Sequence, residues 1–265
     1  MIRCIAFDLD DTLLNDDLMI SDENREMIRL AIQQGIKIVP ASGRMVQSML
    51  RFANTLNLKS PMIAYNGAVI YDLSLSQISY RRSVELGLAL EIIPLFQKAG
   101  LHLNVYVDDE LFMDHPTSWG EKYASLAGVT PRFVGPLDRF LKEAPHKLLC
   151  AAEMAETDRM QALLSERFGD RLQLTRSKPN YLEMLDPGAS KGQALQELAG
   201  RWGFDRSEVM AIGDAPNDIS MITWAGVGVA MRNAVDLLKE KANLIVADNN
   251  HNGVAEAIRK VVYAT

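Results

Sequence analysis

Cysteine and histidine are scarce in this sequence. Its 265 residues include two cysteines, Cys4 and Cys150, and four histidines. Each cysteine lies in a short apolar run, so we expect both to be reduced core residues rather than a disulfide. The histidines form no His-Glu-x-x-His pattern, and the sequence also lacks a Gly-x-Ser-x-Gly elbow and a Walker-type phosphate loop. Zinc proteases of that type, α/β-hydrolases and P-loop nucleotidases are therefore not indicated.

Excess positive charge and long apolar runs are missing as well. The formal net charge is −6, and non-specific affinity for nucleic acids depends on clustered lysine and arginine, so no nucleic-acid partner is expected. No apolar stretch is long enough to cross a bilayer. The first apolar run is interrupted by the carboxylate of Asp8, which is too early in the sequence for a signal peptide. We therefore expect a cytoplasmic protein with no membrane partner, present as a monomer or a small homo-oligomer.

What the sequence does contain is an alternation of strand and helix signals at both ends of the chain. Hydrophobic residues make up 48% of it, which is enough for a sizeable core. Strands are predicted at 2–9, 36–39, 61–70 with an interruption at Asn66-Gly67, 209–212, 227–229 and 244–246. Helices are predicted after the N-cap residues Ser21 and Ser190 and end near Gly35 and Gly203. This alternation predicts a mainly parallel sheet covered by helices on both faces.

The middle of the chain has a different pattern. Helices are predicted at 88–98, 117–127 and 157–168, and strands at 101–107, 111–113, 146–152, 172–175 and 181–184. Closely spaced strands with short links indicate a mainly antiparallel α+β domain inserted into the first fold. The predicted domains are residues 1–82, the first part of the core; 83–184, an α+β cap; and 185–265, the second part of the core. Pro94, inside the first of these helices, predicts a kink or a late helix start.

The strongest local signal is the run Asp8-Leu9-Asp10-Asp11-Thr12, directly after the first predicted strand. Three carboxylates in four residues repel one another unless a cation or a functional need compensates. Asp8 and Asp10 are two residues apart, so in an extended chain both side chains can face one ligand. Open α/β sheets also bind their ligands at the ends of parallel strands. The alternative that stays open is an acidic turn that caps a helix.

Two further segments offer groups for an anion. Ser42, Gly43 and Arg44 follow the second predicted strand and supply a hydroxyl, an accessible backbone and a fork of donors. Taken alone, such a segment is usually only a turn. Lys191 lies in the first turn of the helix that Ser190 caps, where its charge opposes the helix dipole unless an anion binds there. For Lys191 considered alone, a solvent-exposed side chain is the favoured interpretation.

A second acidic segment, Gly213 to Asp218, follows the strand predicted at 209–212. Pro216 suits the first turn of a helix, and Asp218 near that helix start has a simple alternative role in compensating the helix dipole. Asp214 has no such alternative and is the better ligand candidate. Carboxylates without histidine or cysteine partners favour a hard cation, Mg²⁺, over zinc.

The ordered combination of these motifs resembles the haloacid dehalogenase superfamily and, within it, the Cof-type sugar-phosphatase family. The resemblance covers nearly the whole chain. It rests on Phe-Asp-Leu-Asp-Asp-Thr-Leu at 7–13, Ala-Ser-Gly-Arg at 41–44, Tyr-Asn-Gly-Ala at 65–68, Ser-Lys-Gly at 190–192, Gly-Asp-Ala-Pro-Asn-Asp at 213–218, Asn-Ala at 233–234 and Asn-Gly-Val at 252–254. It implies an α/β fold: a doubly wound, mainly parallel, Rossmann-like core sheet with an inserted α+β cap domain that selects the substrate.

The resemblance also implies an activity, that of a Mg²⁺-dependent phosphoric monoester hydrolase that acts on small phosphorylated metabolites, such as sugar phosphates, through an aspartyl-phosphate. Asp8 would attack phosphorus, and Asp10 would protonate the leaving oxygen and then activate water. The phosphoryl oxygens would be held by the backbone of Leu9 and Gly43 and by the side chains of Ser42, Lys191 and Asn217. Mg²⁺ would be bound by the Asp8 carboxylate, the Asp10 carbonyl and Asp214, with Asp218 close behind.

Two alternative functions stay open: a phosphomutase of the same superfamily and a non-catalytic metabolite-binding sensor. Nothing in the sequence indicates the second phosphate site that a mutase needs, and a sensor that had lost its chemistry need not retain both Asp8 and Asp10. Ala215-Pro216 replaces the Ser-Glu that is common in the family, which puts the surroundings of Asp214 in doubt. The sequence does not identify the substrate. Candidates to contact it are His115, Trp119, Arg176 and Tyr181, although local packing or solvation is the favoured role of each.

Overall fold

A computed structural model describes residues 1–263, and the chain divides into two compact units. The core unit comprises Met1–Gly43, Met49–Tyr80 and Ser190–Thr265, and the inserted unit comprises Arg44–Ser48 and Arg81–Ala189. Most of the inserted unit is thus one continuous segment between two parts of the core unit. The role of residues 83–184 as a substrate-selecting cap stays a prediction.

Helices and strands alternate along most of the chain. In chain order, the first are β1 (Cys4–Phe7), α1 (Asp22–Gln33), β2 (Lys37–Pro40), α2 (Val46–Thr55), β3 (Met62–Ala64), β4 (Val69–Asp72), β5 (Gln77–Arg81), α3 (Leu86–Ala99), β6 (His102–Val107), β7 (Glu110–Met113) and α4 (Ser118–Ala127). They are followed by β8 (Arg132–Phe133), α5 (Leu137–Phe140), β9 (Lys147–Ala151), α6 (Met154–Phe168), β10 (Gln173–Thr175), β11 (Tyr181–Leu185), α7 (Lys191–Trp202), β12 (Val209–Gly213), α8 (Ile219–Trp224), β13 (Val227–Met231), α9 (Asp236–Lys239), β14 (Leu244–Val246) and α10 (Gly253–Val262). The helices α2, α5, α9 and α10 were not predicted; α5 and α9 have only four residues each.

The starts of α1 and α7 follow from their sequences. Ser21 accepts a hydrogen bond from Asn24 N at 3.2 Å, and Ser190 accepts one from Gln193 N at 3.1 Å. Each serine thereby satisfies a backbone donor that the first helical turn leaves without a partner. Both caps were predicted from the sequence. The second of them sets the position of Lys191, the first residue of α7.

The core unit is built on a five-stranded parallel sheet in the order β14-β13-β12-β1-β2. The strand β1 is entirely buried, as expected of an apolar strand inside a sheet that is covered on both faces. In the register, Phe7 of β1 lies beside Pro40 of β2 and Ile212 of β12. The residues that follow these three strands therefore meet at one edge of the sheet. The predicted mainly parallel α/β core is confirmed.

A smaller sheet in the core unit has the order β3-β4-β5, with β3 and β4 antiparallel. The interrupted strand predicted over 61–70 is therefore two strands, and the predicted interruption at Asn66-Gly67 lies in the turn between them. The chain reverses at Tyr65–Gly67, where the three residues have positive φ values of 51°, 55° and 96°. Asn and Gly adopt this left-handed conformation most readily, so Asn66-Gly67 makes a turn. Ala41, just after β2, forms a parallel bridge with Ile63 of β3 and brings this turn close to the end of β2.

The inserted unit contains a six-stranded sheet in the order β10-β11-β9-β6-β7-β8. It is antiparallel except for the pair β7-β8. Its strands share an apolar core with α3 and α6 that includes Ile92, Phe96, Val105, Leu148 and Leu164. The α+β architecture expected of this segment is confirmed. The prediction that its first helix starts late is wrong, because α3 begins at Leu86, well before Pro94.

The two cysteines lie in different units. Cys4 is in β1 of the core unit and Cys150 is in β9 of the inserted unit, and both are buried and free. The prediction of core thiols rather than a disulfide is confirmed. Among the helices of residues 1–263, none has both the length and the apolar character needed to span a membrane.

The inserted sheet also contains a buried ion pair. Lys147 Nζ lies 2.8 Å from Glu183 Oε2, and each side chain is 1% exposed. Because side chains alternate along a strand, Lys147 points away from the apolar core that its neighbour Leu148 joins. Ser177 Oγ donates a hydrogen bond to the other oxygen, Glu183 Oε1. Both charges therefore depend on partners from the protein rather than on water.

We expect Glu183→Gln to destabilise the protein by about 3–5 kcal/mol, because it leaves the Lys147 charge buried without its ionic partner. The double variant Lys147→Met/Glu183→Met removes both charges and should be more stable than Glu183→Gln. Urea-induced unfolding is the measurement. Glu110→Gln is the control, since the Glu110–Arg132 pair is exposed and such pairs contribute about 0–1 kcal/mol. Equal losses for Glu183→Gln and Glu110→Gln would contradict this expectation.

Candidate active site

The acidic run after β1 forms the first part of the site. Asp8 N donates to Ile212 O at 3.0 Å, which continues the pairing of β1 with β12 by one residue. The chain then turns, and Asp11 adopts a left-handed φ of 56°. Asp8 and Leu9 are buried, whereas Asp10 is half-buried. The backbone of Asp10 has φ −70° and ψ 133°, but it lies within a helical turn over Leu9–Leu13, so the chain from Asp8 to Asp10 is not a regular extended strand. That Asp8 and Asp10 face one ligand stays a prediction.

Lys191 lies beside Asp8. Its Nζ atom donates to Asp8 Oδ1 and to Asp218 Oδ1, each at 2.6 Å. The side chain is 0% exposed. The interpretation of Lys191, considered alone, as a solvent-exposed lysine is therefore wrong. The physical reason is that α7 begins at the edge of the sheet where the two carboxylates lie. Two ion pairs away from water outweigh the unfavourable interaction of a cation with the helix dipole.

Asp218 is wholly buried and uses both of its carboxylate oxygens. Oδ1 accepts from Lys191, and Oδ2 accepts from the backbone N–H groups of Asp214 and Ala215, both at 3.0 Å. These bonds need a close approach, since a Cβ atom on Gly213 would lie 2.6 Å from Asp218 Cβ. Asp218 thus shapes the turn after β12 and orients Lys191. From the sequence, the alternative role considered for Asp218 was only compensation of the helix dipole.

Asp214 is held by a residue that the sequence did not assign to the site. Thr12 Oγ1 donates to Asp214 Oδ1 at 2.6 Å, and Thr12 is fully buried. The contact joins the turn after β1 to the turn after β12. The sequence feature that could have indicated this role is the position of Thr12 at the end of the acidic run. A threonine at that position is, however, equally typical of a helix cap.

Burial dominates the ionisation of these groups. It raises the pKa of Asp8 well above the ordinary carboxyl value; Lys191 opposes this shift, and Asp218 and Asp214 add to it. Burial also raises the pKa of Asp214 to about 8, and Asp218 adds to that shift. Burial favours the neutral form of Lys191, but the attraction of Asp218 and Asp8 outweighs it and raises the pKa of this lysine. One lysine does not balance three carboxylates, so additional positive charge is favoured.

These groups fit a divalent metal ion. Oxygens of Asp8, Asp214 and Asp218 lie within 4.8 Å of one another. All three residues are buried, and the donors are oxygen atoms only, which suits a hard cation such as Mg²⁺ better than zinc. Because Asp218 already uses both oxygens, Asp8 and Asp214 are better placed to bind the ion directly.

The candidates for phosphate binding after β2 and after β12 meet through Asn66. Asn66 N donates to Ser42 O at 3.0 Å, and Asn217 Nδ2 donates to Asn66 Oδ1 at 2.9 Å. A Cβ atom on Gly43 would lie 2.9 Å from the same Oδ1 atom. Asn66 belongs to the motif at 65–68 but was not predicted to be a site residue. The signal that could have indicated it is an Asn-Gly pair inside an apolar run.

Arg44 is grouped with the inserted unit rather than with the residues above. The Arg44 Nη1 atom donates to Ser48 Oγ at 3.0 Å. Ser48 Oγ in turn donates to Ala127 O at 2.6 Å. These bonds tie the start of α2 to the end of α4, and the phosphate contact predicted for Arg44 stays a prediction.

The four candidates for substrate contact in the inserted unit have local partners. Arg176 donates to Gln161, Asp158 and Pro179 O. Tyr181 packs edge-on against Tyr123, with ring centroids 5.6 Å apart. His115 pairs with Asp114 at 3.1 Å, and the Lys122 Nζ atom lies 5.9 Å from the Trp119 ring centroid. Each residue thus has a local contact of the kind that the sequence favoured.

The sequence and the fold both match known proteins. The sequence model of a family described as haloacid dehalogenase-like hydrolase matches residues 5–258. The chain is 34% identical over 261 residues to the 5-amino-6-(5-phospho-D-ribitylamino)uracil phosphatase YcsE of Bacillus subtilis, covering 97% of this chain and 95% of that protein.

Solved structures agree with this match. TM0651 from Thermotoga maritima has a TM-score of 0.85 and 33% identity, covering 100% of this chain and 98% of the other. A haloacid dehalogenase-like hydrolase from Bacteroides thetaiotaomicron has a TM-score of 0.89 and 30% identity, covering 98% of this chain and 100% of the other. The name of the Bacillus relative supports the predicted class of phosphoric monoester hydrolase. The resemblance predicted from the motifs is confirmed, and the chain belongs to the haloacid dehalogenase-like hydrolases.

Proposed function

We propose that the protein is a Mg²⁺-dependent phosphatase that hydrolyses small phosphorylated metabolites through an aspartyl-phosphate on Asp8. The observation that carries this proposal is the buried Asp8 carboxylate, held by Lys191 and grouped with Asp214 and Asp218 where parallel strands end. Open α/β sheets bind their ligands at this edge. The named activity of the Bacillus relative supports the same reaction class.

Asp8 is the proposed nucleophile. Lys191 Nζ holds its Oδ1 atom, so we assign the attack on phosphorus to its other oxygen. The bond from phosphorus to the leaving oxygen breaks as the bond to Asp8 forms. Because burial raises the pKa of Asp8, nearby positive charge is needed to keep it ionised. Lys191 supplies part of that charge, and bound Mg²⁺ would add to it and neutralise the phosphoryl oxygens.

Asp10 is the proposed general acid and base. Its half-buried position allows its carboxyl group to exchange protons with the leaving group and with water. In the first step, protonated Asp10 gives its proton to the leaving oxygen and becomes a carboxylate. In the second step, this carboxylate takes a proton from water, whose oxygen attacks phosphorus. The bond between phosphorus and Asp8 then breaks, which releases phosphate and restores both aspartates.

The remaining residues bind and orient in this proposal. The backbone N–H groups of Leu9 and Gly43, the Ser42 hydroxyl, Lys191 and Asn217 would hold the phosphoryl oxygens, with Arg44 as a further predicted contact. Asp8, the Asp10 carbonyl and Asp214 would be the Mg²⁺ ligands. Both oxygens of Asp218 are engaged, so we assign it to positioning Lys191 and the turn after β12 rather than to direct metal contact.

The substrate is proposed only as a class. The Bacillus relative is named for a phosphorylated ribityl compound, which supports a small metabolite with a phosphate monoester. We propose that the cap domain, residues 83–184, selects among such compounds. Assaying a panel of phosphorylated sugars and cofactors for phosphate release, and for isomeric products, distinguishes the phosphatase from a phosphomutase. A sensor would show neither reaction. The cytoplasmic compartment and the oligomeric state stay predictions.

Asp8→Asn should lower phosphate release from p-nitrophenyl phosphate at least about a thousandfold, since groups that act as a unit fail together. The amide keeps the shape of the side chain but is a poor nucleophile for phosphorus. The matched control is Asp11→Asn in the same turn, where asparagine accepts the left-handed φ of 56°. This control should keep activity within a few-fold of the parent. Near-parental release by Asp8→Asn would refute the proposed mechanism.

Removing divalent ions with a chelator should abolish phosphate release, and Mg²⁺ should restore it. Ca²⁺ should restore it poorly, because calcium accepts more ligands and a looser geometry that does not hold the reacting groups in line. Asp214→Ala should require a higher Mg²⁺ concentration, since one of few ligands is lost. The test is a metal titration of the phosphate-release rate. Full activity in chelator would rule out the metal requirement.

The metal-free protein should lose stability as the pH rises. The Asp214 pKa of about 8 in the folded state exceeds the value of about 3.9 for an unfolded aspartate. The stabilising contribution of its proton is therefore full below about pH 4 and is lost as the pH rises through about 8. Asp214→Asn should lessen this loss, whereas Asp17→Asn, at an exposed aspartate, should follow the parent. Thermal unfolding in chelator tests this, and identical pH curves for the two variants would contradict it.

A further inference from the structure

The turn Tyr65–Gly67 has an unusual backbone. Its three residues have φ values of 51°, 55° and 96°, so all lie in the left-handed region. For residues with a side chain, this region is disfavoured by contacts between Cβ and the backbone. Tyr65, a large aromatic residue, is nevertheless fully buried in this conformation. Strained turns of this kind persist where surrounding contacts hold them, and they cluster at functional sites.

The contacts of this turn reach three segments proposed to bind phosphate. Asn66 N donates to Ser42 O at 3.0 Å, and Asn66 Oδ1 accepts from Asn217 Nδ2 at 2.9 Å. A Cβ atom on Gly67 would lie 2.1 Å from Ser190 O and 2.9 Å from Lys191 N. The turn therefore packs directly against the residues after β2, the residues after β12 and the start of α7.

The amide of Asn66 occupies the space between two of these segments. A Cβ atom on Gly43 would lie 2.9 Å from Asn66 Oδ1 and 3.3 Å from Asn66 Nδ2, so the amide lies against the Gly43 backbone. On its other side it pairs with the Asn217 amide. Asn66 is only 2% exposed. The Asn66 amide therefore lies between the Gly43 backbone and the Asn217 amide.

We propose that Asn66 is a positioning residue for the phosphate site, which orients the Asn217 amide and sets its distance from Gly43. The inference rests on the proposed function, in which Gly43 and Asn217 hold phosphoryl oxygens. Asn66 itself touches neither the substrate nor the reacting atoms in this proposal. It acts through Asn217 and through the left-handed turn.

An amide at position 66 has a chemical advantage over other side chains. Asn217 Oδ1 is buried and accepts no hydrogen bond from any residue in the described range 1–263. A phosphoryl oxygen is an acceptor, so it would bind the Nδ2 group of Asn217, which keeps a second N–H after one donates to Asn66 Oδ1. Because Asn66 Oδ1 accepts from Asn217 Nδ2, it favours the orientation of the Asn217 amide in which this donor group faces position 66. An aspartate at position 66 could accept the same hydrogen bond from Asn217 Nδ2, but its negative charge would repel a bound phosphate.

The test compares two asparagine-to-glycine variants at left-handed positions. Asn66→Gly permits the left-handed backbone and removes the whole side chain, including the amide. Asn57→Gly is the matched control, because Asn57 has a φ of 49° and is exposed in the same unit. The measurements are the inhibition constant of inorganic phosphate against p-nitrophenyl phosphate hydrolysis, and the thermal midpoint. We expect Asn66→Gly to weaken phosphate inhibition at least about tenfold, as for the loss of one well-placed hydrogen bond. Asn57→Gly should leave it at the parental value.

A double variant tests whether Asn66 acts through Asn217. If it does, Asn66→Gly/Asn217→Ala should weaken phosphate inhibition little more than Asn217→Ala alone, because the two changes remove one interaction. Asn66→Asp provides a second variant that keeps the side-chain size and tolerates the left-handed turn. It should also weaken inhibition, while its thermal midpoint stays closer to the parental value than that of Asn66→Gly.

The outcomes separate this inference from the proposed function. If the parent neither hydrolyses p-nitrophenyl phosphate nor binds phosphate, the proposed function fails and this inference fails with it. If the parent does both, parental inhibition constants for Asn66→Gly and Asn66→Asp would overturn the inference alone. Additive effects of Asn66→Gly and Asn217→Ala would also overturn it. Loss of phosphate binding together with non-additivity supports it.

Discussion

The ion pairs of Lys191 are the constraint on which the core unit depends. A fully buried ammonium group is tolerated only where charged partners replace water, and Asp8 and Asp218 are those partners. Asp8 follows β1 and Asp218 lies in the turn beyond β12. Both strands must therefore end at the same edge of the sheet, and α7 must begin there. The parallel, in-register pairing of β1 with β12 meets this condition. The register of the sheet and the geometry of the site are thus set by the same contacts.

The acidic cluster opposes folding when no cation is bound. Carboxylate oxygens within 4.8 Å of one another repel, and burial raises the pKa of Asp8 and of Asp214. Part of this cost is offset locally, because Thr12 donates to Asp214 and two backbone N–H groups donate to Asp218. The repulsion that the protein does not offset favours the binding of a divalent cation. Perturbed carboxylates of this kind are typical of functional sites, where binding rather than packing explains their presence.

The inserted unit packs around an apolar core of its own and carries its own buried ion pair. A unit with its own core can change its surface residues without disturbing a charge cluster elsewhere in the chain. This separation supports the proposal that phosphate chemistry lies in one unit and substrate choice in the other. The paired strands with short links predicted this antiparallel α+β unit. The sequence could not indicate which of its side chains contact a substrate, because that depends on surfaces rather than on local pattern.

The sequence by itself determined the elements that depend on neighbouring residues: the apolar run of β1 and the Ser21 and Ser190 caps of α1 and α7. The order of its motifs also identified the family. Tertiary structure decided the contacts between distant residues. Thr12 and Asp214 are 202 positions apart, Asn66 and Asn217 are 151 apart, and Asp8 and Lys191 are 183 apart. A local pattern carries no information about such neighbours. Considered alone, Lys191 was therefore interpreted as solvent-exposed, and only the resemblance to the family suggested a role at the site. It is buried because the sheet brings two distant carboxylates to the start of its helix.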